Sequence, residues 1–381
     1  MGIDFNTPTP LYRQIADDIK ARIASGQMKV GDQLDSQQEL AKKYGVSLIT
    51  VKKALADLIH EGVLFSRVGK GTYVAARKRV AIDLSRYKTI GLVLRDLKSP
   101  FFSLIVHSVE EKASERGYNL LLSNSGDRLD KEESQIHHFR QIGVSGLIIA
   151  SMSRIYRATN SIRKLHQENF PYVFVSYMED EDIFYVGTDH EYGAHLATEH
   201  LIKLGHYRIG YISCEEGNLL SELRKKGYLR ALQQYGKPFE ESLVFRSSSK
   251  GEGDDYQSGY EIGLRFLALA QKPDAVFAYK DLAALGFQQA LLDHGLKVPH
   301  DVAIVGFDDI ESGQYAPVPL TTIHQPTAEI GAIAVETLIK RIEGKEANIR
   351  TILKPTLVVR ESCGAKLRSI SRNMSYSVTT A

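Results

Sequence analysis

Residues 89–310 of this 381-residue chain contain short apolar runs that alternate with helical stretches. This alternation constrains the fold of the chain more than any other feature of the sequence. Buried strands separated by helices predict a parallel, doubly wound α/β sheet. Because about 280 residues is long for one such sheet, we expect a body of two lobes. The runs lie at residues 89–94, 119–123, 146–151, 172–176, 184–187, 208–213, 275–278 and 302–307.

Polar and aromatic residues follow several of these runs. Phe101 and Phe102 come soon after the first run, Lys280 and Asp308 follow later runs, and Arg224 opens a helix after the segment 215–222. Ligands of such sheets bind at the carboxyl ends of the strands, where two lobes can close over them. Aromatic faces, a guanidinium and carboxylates at one crevice suit a polyol such as a sugar.

Each of these residues has a simpler interpretation. Asp308 or Asp309 is equally consistent with a cap on the next segment, and Arg224 with an exposed helix position. Phe101 and Phe102 are of a type found more often in a core than at a ligand, so we expect one of them to be a core residue.

Motifs of catalysis and of metal binding are missing from the sequence. It has no nucleophile elbow, no phosphate-binding G-x-x-x-x-G-K-[ST] and no H-E-x-x-H. Cys214 and Cys363 form no zinc-binding C-x-x-C pair, and His190, His195 and His200 do not share one helix face. We therefore predict a chain that is not an enzyme and uses no metal and no cofactor.

Targeting signals are also missing. No run of about 18 uncharged apolar residues occurs, and residues 1–20 contain three Asp and no apolar segment. Two cysteines cannot make a disulfide framework, so a reducing cytoplasm is the expected location.

The first 76 residues follow the pattern of a winged helix-turn-helix. Apolar residues recur every four positions from 11 to 23, which predicts a first helix. Ser36 and Glu39 form a capping box for a second helix that ends near Gly45, and Ser47 caps a third. Two strands around a glycine-rich turn then predict a wing. A small helical oligomerisation domain is the alternative.

Charge is distributed unevenly along the chain. Residues 1–80 hold 13 Lys/Arg and 8 Asp/Glu, a net of +5, whereas the remainder holds 35 and 38, a net of −3. A basic head on an acidic body suits a polyanion, although so modest a charge is equally consistent with chance asymmetry of a solvated surface. Lys70, between two glycines, can approach a phosphate closely.

The motifs PLYRQI at 10–15, TVKKAL at 50–55 and GKGTYV at 69–74 resemble the GntR-family DNA-binding domain over residues 8–76. The family usually has Pro at Asp35, Arg at Gln38 and Leu48, and often Arg at Lys52. Gln38 suits an adenine edge, and Leu48 suits a thymine methyl group. We therefore expect the operator to differ from the one that is usual for the family. The resemblance implies DNA contacts from Gln38, Ser47, Leu48, Thr50, Lys52, Lys53, Arg67, Gly69 and Lys70.

The motifs HLIKLGH at 200–206, PDAVFA at 273–278, DVAIVGFDD at 301–309 and LTTI at 320–323 resemble the LacI/GalR regulatory core. That resemblance covers about residues 88–363 and implies a dimeric, periplasmic-binding-protein-like sugar sensor. The family often has Asn at Lys280, and a lysine would also suit a uronate or a phosphorylated sugar. The implied ligand contacts are Phe101, Phe102, Ser176, Asp189, Arg224, Lys280 and Asp308.

The whole chain resembles arabinose-repressor-type regulators, in which a GntR-type head is joined to a LacI/GalR-type body. We expect a cytoplasmic, homodimeric repressor whose affinity for double-stranded operator DNA is controlled by a sugar effector. A sugar-binding transport receptor and a sugar-processing enzyme are the alternatives. The expected segments are a winged helix-turn-helix domain at 1–76, a linker at 77–88, a first lobe at 89–189 and 320–345, a second lobe at 190–319 and 346–365, and a flexible tail at 366–381.

Overall fold

The chain divides into two compact units, Met1–Ile82 and Asp83–Ala381. This computed structural model describes residues 9–60, 62–67, 71–75, 87–126, 128–150, 156–214, 217–247 and 255–365. Gly69 and Lys70, most of the predicted linker and the predicted tail lie outside these ranges. The boundaries of the head, linker, body and tail that were drawn from the sequence stay a prediction.

Three helices form most of the first unit: α1 (Leu11–Ala24), α2 (Gln37–Tyr44) and α3 (Leu48–His60). The capping box is confirmed, because the Glu39 amide donates to Ser36 Oγ at 3.3 Å and the Ser36 amide donates to Glu39 Oε2 at 2.8 Å. Gly45 ends α2 with a φ of 67°, which an L-residue adopts only with strain. The Thr50 amide donates to Ser47 Oγ at 3.2 Å at the start of α3.

The predicted wing is an antiparallel pair, β1 (Leu64–Arg67) and β2 (Gly71–Val74), in which Leu64 opposes Val74. A single β-bridge joins Gln33 to Tyr73. Leu64 and Val74 bury their side chains against α1, α2 and α3. The apolar stripe of α1 and that of α3 therefore form one small core, which includes Ile15, Ile19, Leu40, Val51, Leu55 and Leu58.

The second unit contains two six-stranded sheets, which we call the first and second lobe together with the helices that cover them. The first sheet has the order β13-β7-β6-β5-β3-β4, and every neighbouring pair is parallel. Its strands are β3 (Thr89–Leu94), β4 (Asn119–Asn124), β5 (Gly146–Ile149), β6 (Tyr172–Ser176), β7 (Tyr185–Thr188) and β13 (Arg350–Leu353).

The second sheet has the order β14-β12-β11-β10-β8-β9 and is parallel except for the pair of β12 with β14. Its strands are β8 (Ile209–Ser213), β9 (Val244–Arg246), β10 (Ala275–Ala278), β11 (Ala303–Asp308), β12 (Thr321–His324) and β14 (Thr356–Val358). Two doubly wound sheets with a winged helix-turn-helix head confirm the predicted α/β fold class.

The main helices of the body are buried against these sheets. In the first lobe α4 and α12 contact each other, and in the second lobe α7 contacts α8 and α9 contacts α10. None of the described helices is both long and apolar enough to cross a bilayer. The helices are α4 (Pro100–Glu115), α5 (Leu129–Gln141), α6 (Asn160–Gln167), α7 (His190–Lys203), α8 (Leu219–Gln234), α9 (Asp255–Leu267), α10 (Asp281–Asp293), α11 (Glu311–Gln314) and α12 (Thr327–Ile342).

The predicted division of the lobes differs from the structure near the end of the chain. Strand β12 pairs with β11 in the second lobe, although residues 320–345 were expected in the first. Strand β13 pairs with β7 in the first lobe, although residues 346–365 were expected in the second. The chain thus passes between the lobes three times, after β7, after β12 and after β13. An apolar run predicts a strand but does not indicate which sheet it joins.

Candidate functional site

A cleft between the two lobes of the body lies at the carboxyl ends of their strands. Its empty space, including the solvent at its mouth, is about 1060 Å³. Six of the seven predicted ligand contacts line it: Phe101, Phe102, Ser176, Arg224, Lys280 and Asp308. The seventh, Asp189, is not among the lining residues. It caps α7 instead, where the Tyr192 amide donates to its Oδ1 at 2.9 Å.

Arg224 is a buried residue of α8, with a relative exposure of 3%, so the exposed position that the sequence left open is excluded. Its Nη2 donates to Asp308 Oδ1 at 3.4 Å and to His190 Nδ1 at 3.3 Å, and its Nη1 donates to the Tyr279 carbonyl. The Arg224 Nε has no hydrogen-bond partner among the described residues. The guanidinium is therefore fixed in place, and its Nε–H makes no hydrogen bond to the described residues.

Asp308 and Asp309 are adjacent in sequence but face different surroundings. Asp308 ends β11 and accepts a 2.7 Å hydrogen bond from Gln325 Nε2 in addition to its contact with Arg224. Asp309 accepts from His324 Nδ1 at 2.9 Å and pairs with Arg360 at 2.7 Å. Neither aspartate caps the next helix, since α11 follows Ile310. Asp308 alone of the two lines the cleft.

Several ionisable groups around the cleft have shifted pKa values. Burial raises the pKa of Asp308, and burial together with the Asp308 charge raises the pKa of Asp281 to about 7. Burial, assisted by the Arg224 charge, lowers the pKa of His190 well below its ordinary value. Because Arg224 can only donate, a neutral His190 accepts at Nδ1 and carries its proton on Nε2.

The positive charge of Lys280 is already balanced. Its Nζ lies 3.1 Å from Asp255 Oδ2, and the Tyr279 hydroxyl donates to the other carboxylate oxygen. Asp255 was not predicted as a cleft residue, because it precedes Lys280 by 25 positions and opens a different helix. This pairing weakens the interpretation that Lys280 indicates a uronate or a phosphorylated sugar.

The two phenylalanines at the start of α4 divide the roles that the sequence left open. Phe102 belongs to the core of the first lobe, whereas Phe101 is half-buried and packs against that core. Their rings meet edge to face, with centroids 5.3 Å apart. Phe101 therefore exposes more aromatic surface to the cleft, and Phe102 supports it.

Non-glycine residues adopt left-handed backbone conformations on both walls of the cleft. The φ angle is 85° at Ser176, the last residue of β6, and 124° at Asp308, the last residue of β11. Such conformations cost of order 1–3 kcal/mol each and persist where the surrounding structure holds them. Each lobe thus presents a strained strand end to the same space.

Residues that the sequence did not predict also line the cleft. Arg95 is buried and its Nη1 donates to the Tyr156 hydroxyl at 3.3 Å. Gln325, in the second crossing between the lobes, holds Asp308. The position of Arg95 directly after β3 was a usable signal, whereas Gln325 comes from the other end of the body. The unpredicted lining residues include Arg95, Tyr156, His190, Asp255, Tyr279 and Gln325.

In the head, the predicted DNA contacts on α2, α3 and β1 lie at the surface. Gln38, Ser47, Lys52 and Arg67 are exposed, and Thr50 is half-buried. Lys53 Nζ lies 4.0 Å from the centroid of the Tyr12 ring, which draws its charge toward α1. Leu48 and Ile49 are exposed apolar residues in the first turn of α3.

Comparison with known proteins agrees with this arrangement. Residues 11–74 match the gntR family of bacterial regulatory proteins, and residues 198–363 match the periplasmic binding protein-like domain. The chain is 33% identical to the arabinose metabolism transcriptional repressor of Geobacillus stearothermophilus over 366 residues, which cover 93% of this chain and 97% of that protein. The chain belongs to the GntR-headed transcriptional repressors with a periplasmic-binding-protein-like body.

Two further similarities extend the comparison of this GntR-headed repressor. The HTH-type transcriptional repressor PurR of Mannheimia succiniciproducens is 30% identical over 338 residues, covering 85% of this chain and 97% of that protein. The crystal structure of a LacI-family transcriptional regulator from Enterococcus faecium with bound ribose is 29% identical, with a TM-score of 0.63, and covers 72% of this chain and 98% of that chain.

The predicted function is confirmed at the level of the family. The chain is a DNA-binding transcriptional regulator with a ligand-sensing body, and it is not an enzyme. Its partners are operator DNA and an effector. The relatives give no support to a transport receptor or a sugar-processing enzyme.

Proposed function

We propose that this repressor binds a small sugar in the cleft between its lobes and that the sugar releases its head from operator DNA. The observation that carries the proposal is the buried contact of Arg224 with Asp308 beside the half-exposed ring of Phe101. A guanidinium and a carboxylate fix adjacent hydroxyls, and an aromatic face covers the C–H side of a sugar ring. The relative named for arabinose metabolism and the neighbour with bound ribose support this ligand class.

A neutral sugar suits the cleft better than an acidic one. Both Arg224 and Lys280 are paired with carboxylates, those of Asp308 and Asp255. A ligand carboxylate at either cation would have to displace an internal partner. Hydroxyl groups can instead donate to the carboxylates and accept from the cations without breaking these pairs.

The proposed ligand contacts are Phe101, Phe102, Ser176, Arg224, Lys280 and Asp308, to which we add His190 and Gln325. Asp189 contributes indirectly, because it caps α7 and so positions His190, the first residue of that helix. By linkage, the sugar weakens DNA binding only if it favours a geometry that binds DNA poorly. A coupling of about 1–3 kcal/mol gives a response of about 5–150-fold.

The proposed DNA contacts are those predicted from the sequence. The first turn of α3 enters the major groove, and lysines of the head meet phosphates. The proposed segments are the head at 1–76, the linker at 77–88, the body at 89–365 and the tail at 366–381. The proposed location is the cytoplasm. The DNA contacts are Gln38, Ser47, Leu48, Thr50, Lys52, Lys53 and Arg67, with Gly69 and Lys70 outside the described residues.

We propose that the working form is a homodimer. Strand β4 is an edge of the first sheet and leaves Leu122 exposed, and Leu104 of α4 in the same lobe is exposed as well. In the second lobe, Tyr256 and Leu264 of α9 are exposed. Exposed apolar surfaces of this kind favour association with a second copy of the chain. A two-fold dimer also matches the two half-sites of a pseudo-palindromic operator.

A mobility-shift assay on the DNA upstream of the chain's own gene tests the whole proposal. We expect a shift at low salt and its reversal by at least one member of a panel of pentoses, hexoses and uronates. Loss of any shift at low salt would contradict the DNA-binding assignment. A shift that no sugar alters, together with no sugar-dependent thermal stabilisation, would contradict the sensor assignment.

A further inference from the structure

Two exposed apolar side chains occupy the first turn of α3, the recognition helix. Ile49 has a relative exposure of 79%, the highest among the large apolar residues of the described part of the chain, and Leu48 has 38%. The core of the head does not use them, since α3 buries Val51, Leu55 and Leu58 instead. Their exposure therefore needs a reason outside the folding of the head.

The polar neighbours of this pair are partly engaged within the head. Ser47 Oγ and Thr50 Oγ1 lie 2.8 Å apart, and Ser47 Oγ also accepts from the Thr50 amide. One of the two hydroxyl protons is used in that contact, so the pair offers a single one to a base. Lys53 lies over the Tyr12 ring. In the first turn of α3, Leu48 and Ile49 are therefore the exposed side chains that are apolar, and the exposed Lys52 lies one turn further on.

The N-terminal residues of a recognition helix contact base edges in the major groove. Most groups at those edges are hydrogen-bond donors or acceptors, and the C5-methyl of thymine is the apolar one. A Leu and an Ile in that position gain nothing from a guanine or adenine edge but bury surface against a methyl. This argument rests on the proposed DNA-binding function and adds the kind of base that is read.

We propose that Leu48 and Ile49 read thymine C5-methyl groups, so that each operator half-site carries thymine where the first turn of α3 enters the groove. Specificity at these positions comes from apolar contact. Gln38 and the remaining hydroxyl proton of the Ser47–Thr50 pair supply hydrogen bonds to neighbouring bases.

Replacement of thymine by uracil tests this proposal, because it removes the methyl and leaves the Watson–Crick edge unchanged. The probe is a duplex selected by the purified full-length chain from a randomised pool, with each thymine then changed to uracil in turn. We expect binding to weaken about fourfold for each contacted methyl and to be unchanged at other thymines. In Ile49→Ala and Leu48→Ala, the sensitive positions should lose their thymine-over-uracil preference.

Ile59→Ala is the matched control, since Ile59 lies in the last turn of the same helix and has the same 38% exposure as Leu48. It should keep the wild-type preference. Equal binding of thymine and uracil duplexes at every position would overturn the methyl readout and leave DNA binding intact. A preference that survives in both Leu48→Ala and Ile49→Ala would overturn it as well.

Two other results are also decisive. Failure to select any duplex would remove the proposed DNA-binding function and this inference together. A change in the oligomeric state of DNA-free Ile49→Ala, with no thymine preference in the wild type, would identify the apolar pair as a contact between protein chains and contradict the readout.

Discussion

The guanidinium carbon of Arg224 lies 3.7 Å from the centroid of the Phe307 ring. Phe307 and Asp308 are consecutive in β11, so one strand supplies both an aromatic face and a carboxylate to the same cation. A cation over a ring in a buried site gains about 2 kcal/mol or more. Arg224 is thus held in position before a ligand arrives, which lowers the entropic cost of binding.

Arg224→Lys should shift the effector response to higher sugar concentrations and leave DNA affinity unchanged. Lysine keeps the positive charge that Asp308 requires but loses the planar fork. We expect sugar binding, measured by titration calorimetry, to weaken by a factor of about 10 or more, since hydrogen bonds to charged groups contribute about 1.5–3 kcal/mol. Arg230→Lys is the control, because Arg230 lies on the same helix in an exposed pair with Glu191. A normal response in Arg224→Lys would refute the assignment.

Asp255→Asn should change the ligand preference of the cleft. Loss of the carboxylate removes one ion-pair partner of Lys280 and makes its charge more available to a ligand. We expect affinity for glucuronate relative to glucose to rise about tenfold, the size of one charge-assisted hydrogen bond. Thermal shift with matched neutral and acidic sugars measures the ratio. Asp130→Asn, which removes an exposed carboxylate paired with Arg128, should leave it unchanged. An unaltered ratio in Asp255→Asn would show that Lys280 does not face the ligand.

Asp281 should make the body less stable as the pH rises toward neutrality. Its Oδ1 accepts from the Thr322 hydroxyl at 2.6 Å and its Oδ2 from the Ile310 amide at 3.0 Å, in a space that a side chain at Gly306 would fill. Burial raises its pKa from 3.8 to about 7, so between these values the folded chain holds a proton that the unfolded chain has lost. The free energy of unfolding therefore falls by about 1.4 kcal/mol per pH unit in this window and levels off above pH 7.

Comparison with Asp281→Asn isolates this contribution from that of other groups. The wild type minus variant difference, from urea unfolding at pH 5, 6, 7 and 8, should fall up to about pH 7 and then stay constant. His190 acts in the opposite direction, because its lowered pKa costs stability as the pH falls below about 6.5, but it is present in both chains. A difference that does not vary with pH would mean that Asp281 is ionised throughout.

The sequence predicted eight of the twelve described strands of the body, and most of the cleft, for a physical reason. Fully buried parallel strands are continuous apolar runs, and the residues that follow them meet at one edge of a sheet. Lys280 and Asp308 were found in this way. Asp255, His190 and Gln325 could not be, because they reach the cleft from helix starts and a crossing between lobes. Their positions depend on tertiary packing that no local pattern records.

Short edge strands were missed for a related reason. Strands β13 and β14 are partly exposed and lack the run of apolar residues that marks a central strand. Their pairing with different sheets is set by the third crossing between the lobes. The capping box of α2 was predictable because Ser36 and Glu39 interact locally, within one turn.

Lys52→Ala should lower the salt dependence of DNA binding. If Lys52 contacts a phosphate, DNA binding by the variant releases about one counterion fewer than binding by the wild type. The magnitude of the slope of log K against log salt then falls by about one. Fluorescence anisotropy over a range of salt concentrations gives the slope. Lys340→Ala, an exposed lysine of the body, is the control. An unchanged slope in Lys52→Ala would remove this residue from the phosphate contacts.

Ser36→Ala should weaken DNA binding through the stability of the head and leave the cleft unaffected. The variant loses the cap on α2 and leaves the Glu39 amide without its acceptor, which costs about 1 kcal/mol. Glu39 has its pKa lowered by the Ser36 contacts, so its carboxylate also loses part of its stabilisation. We expect an earlier thermal transition of the head, by circular dichroism, with sugar affinity of the body unchanged. Ser66→Ala, an exposed hydroxyl of β1, serves as the control. An equal change in the free energy of sugar binding and in the free energy of head unfolding would contradict this expectation. The two units would then not be energetically separate, and the effector response would require direct coupling between the α2 cap and the body.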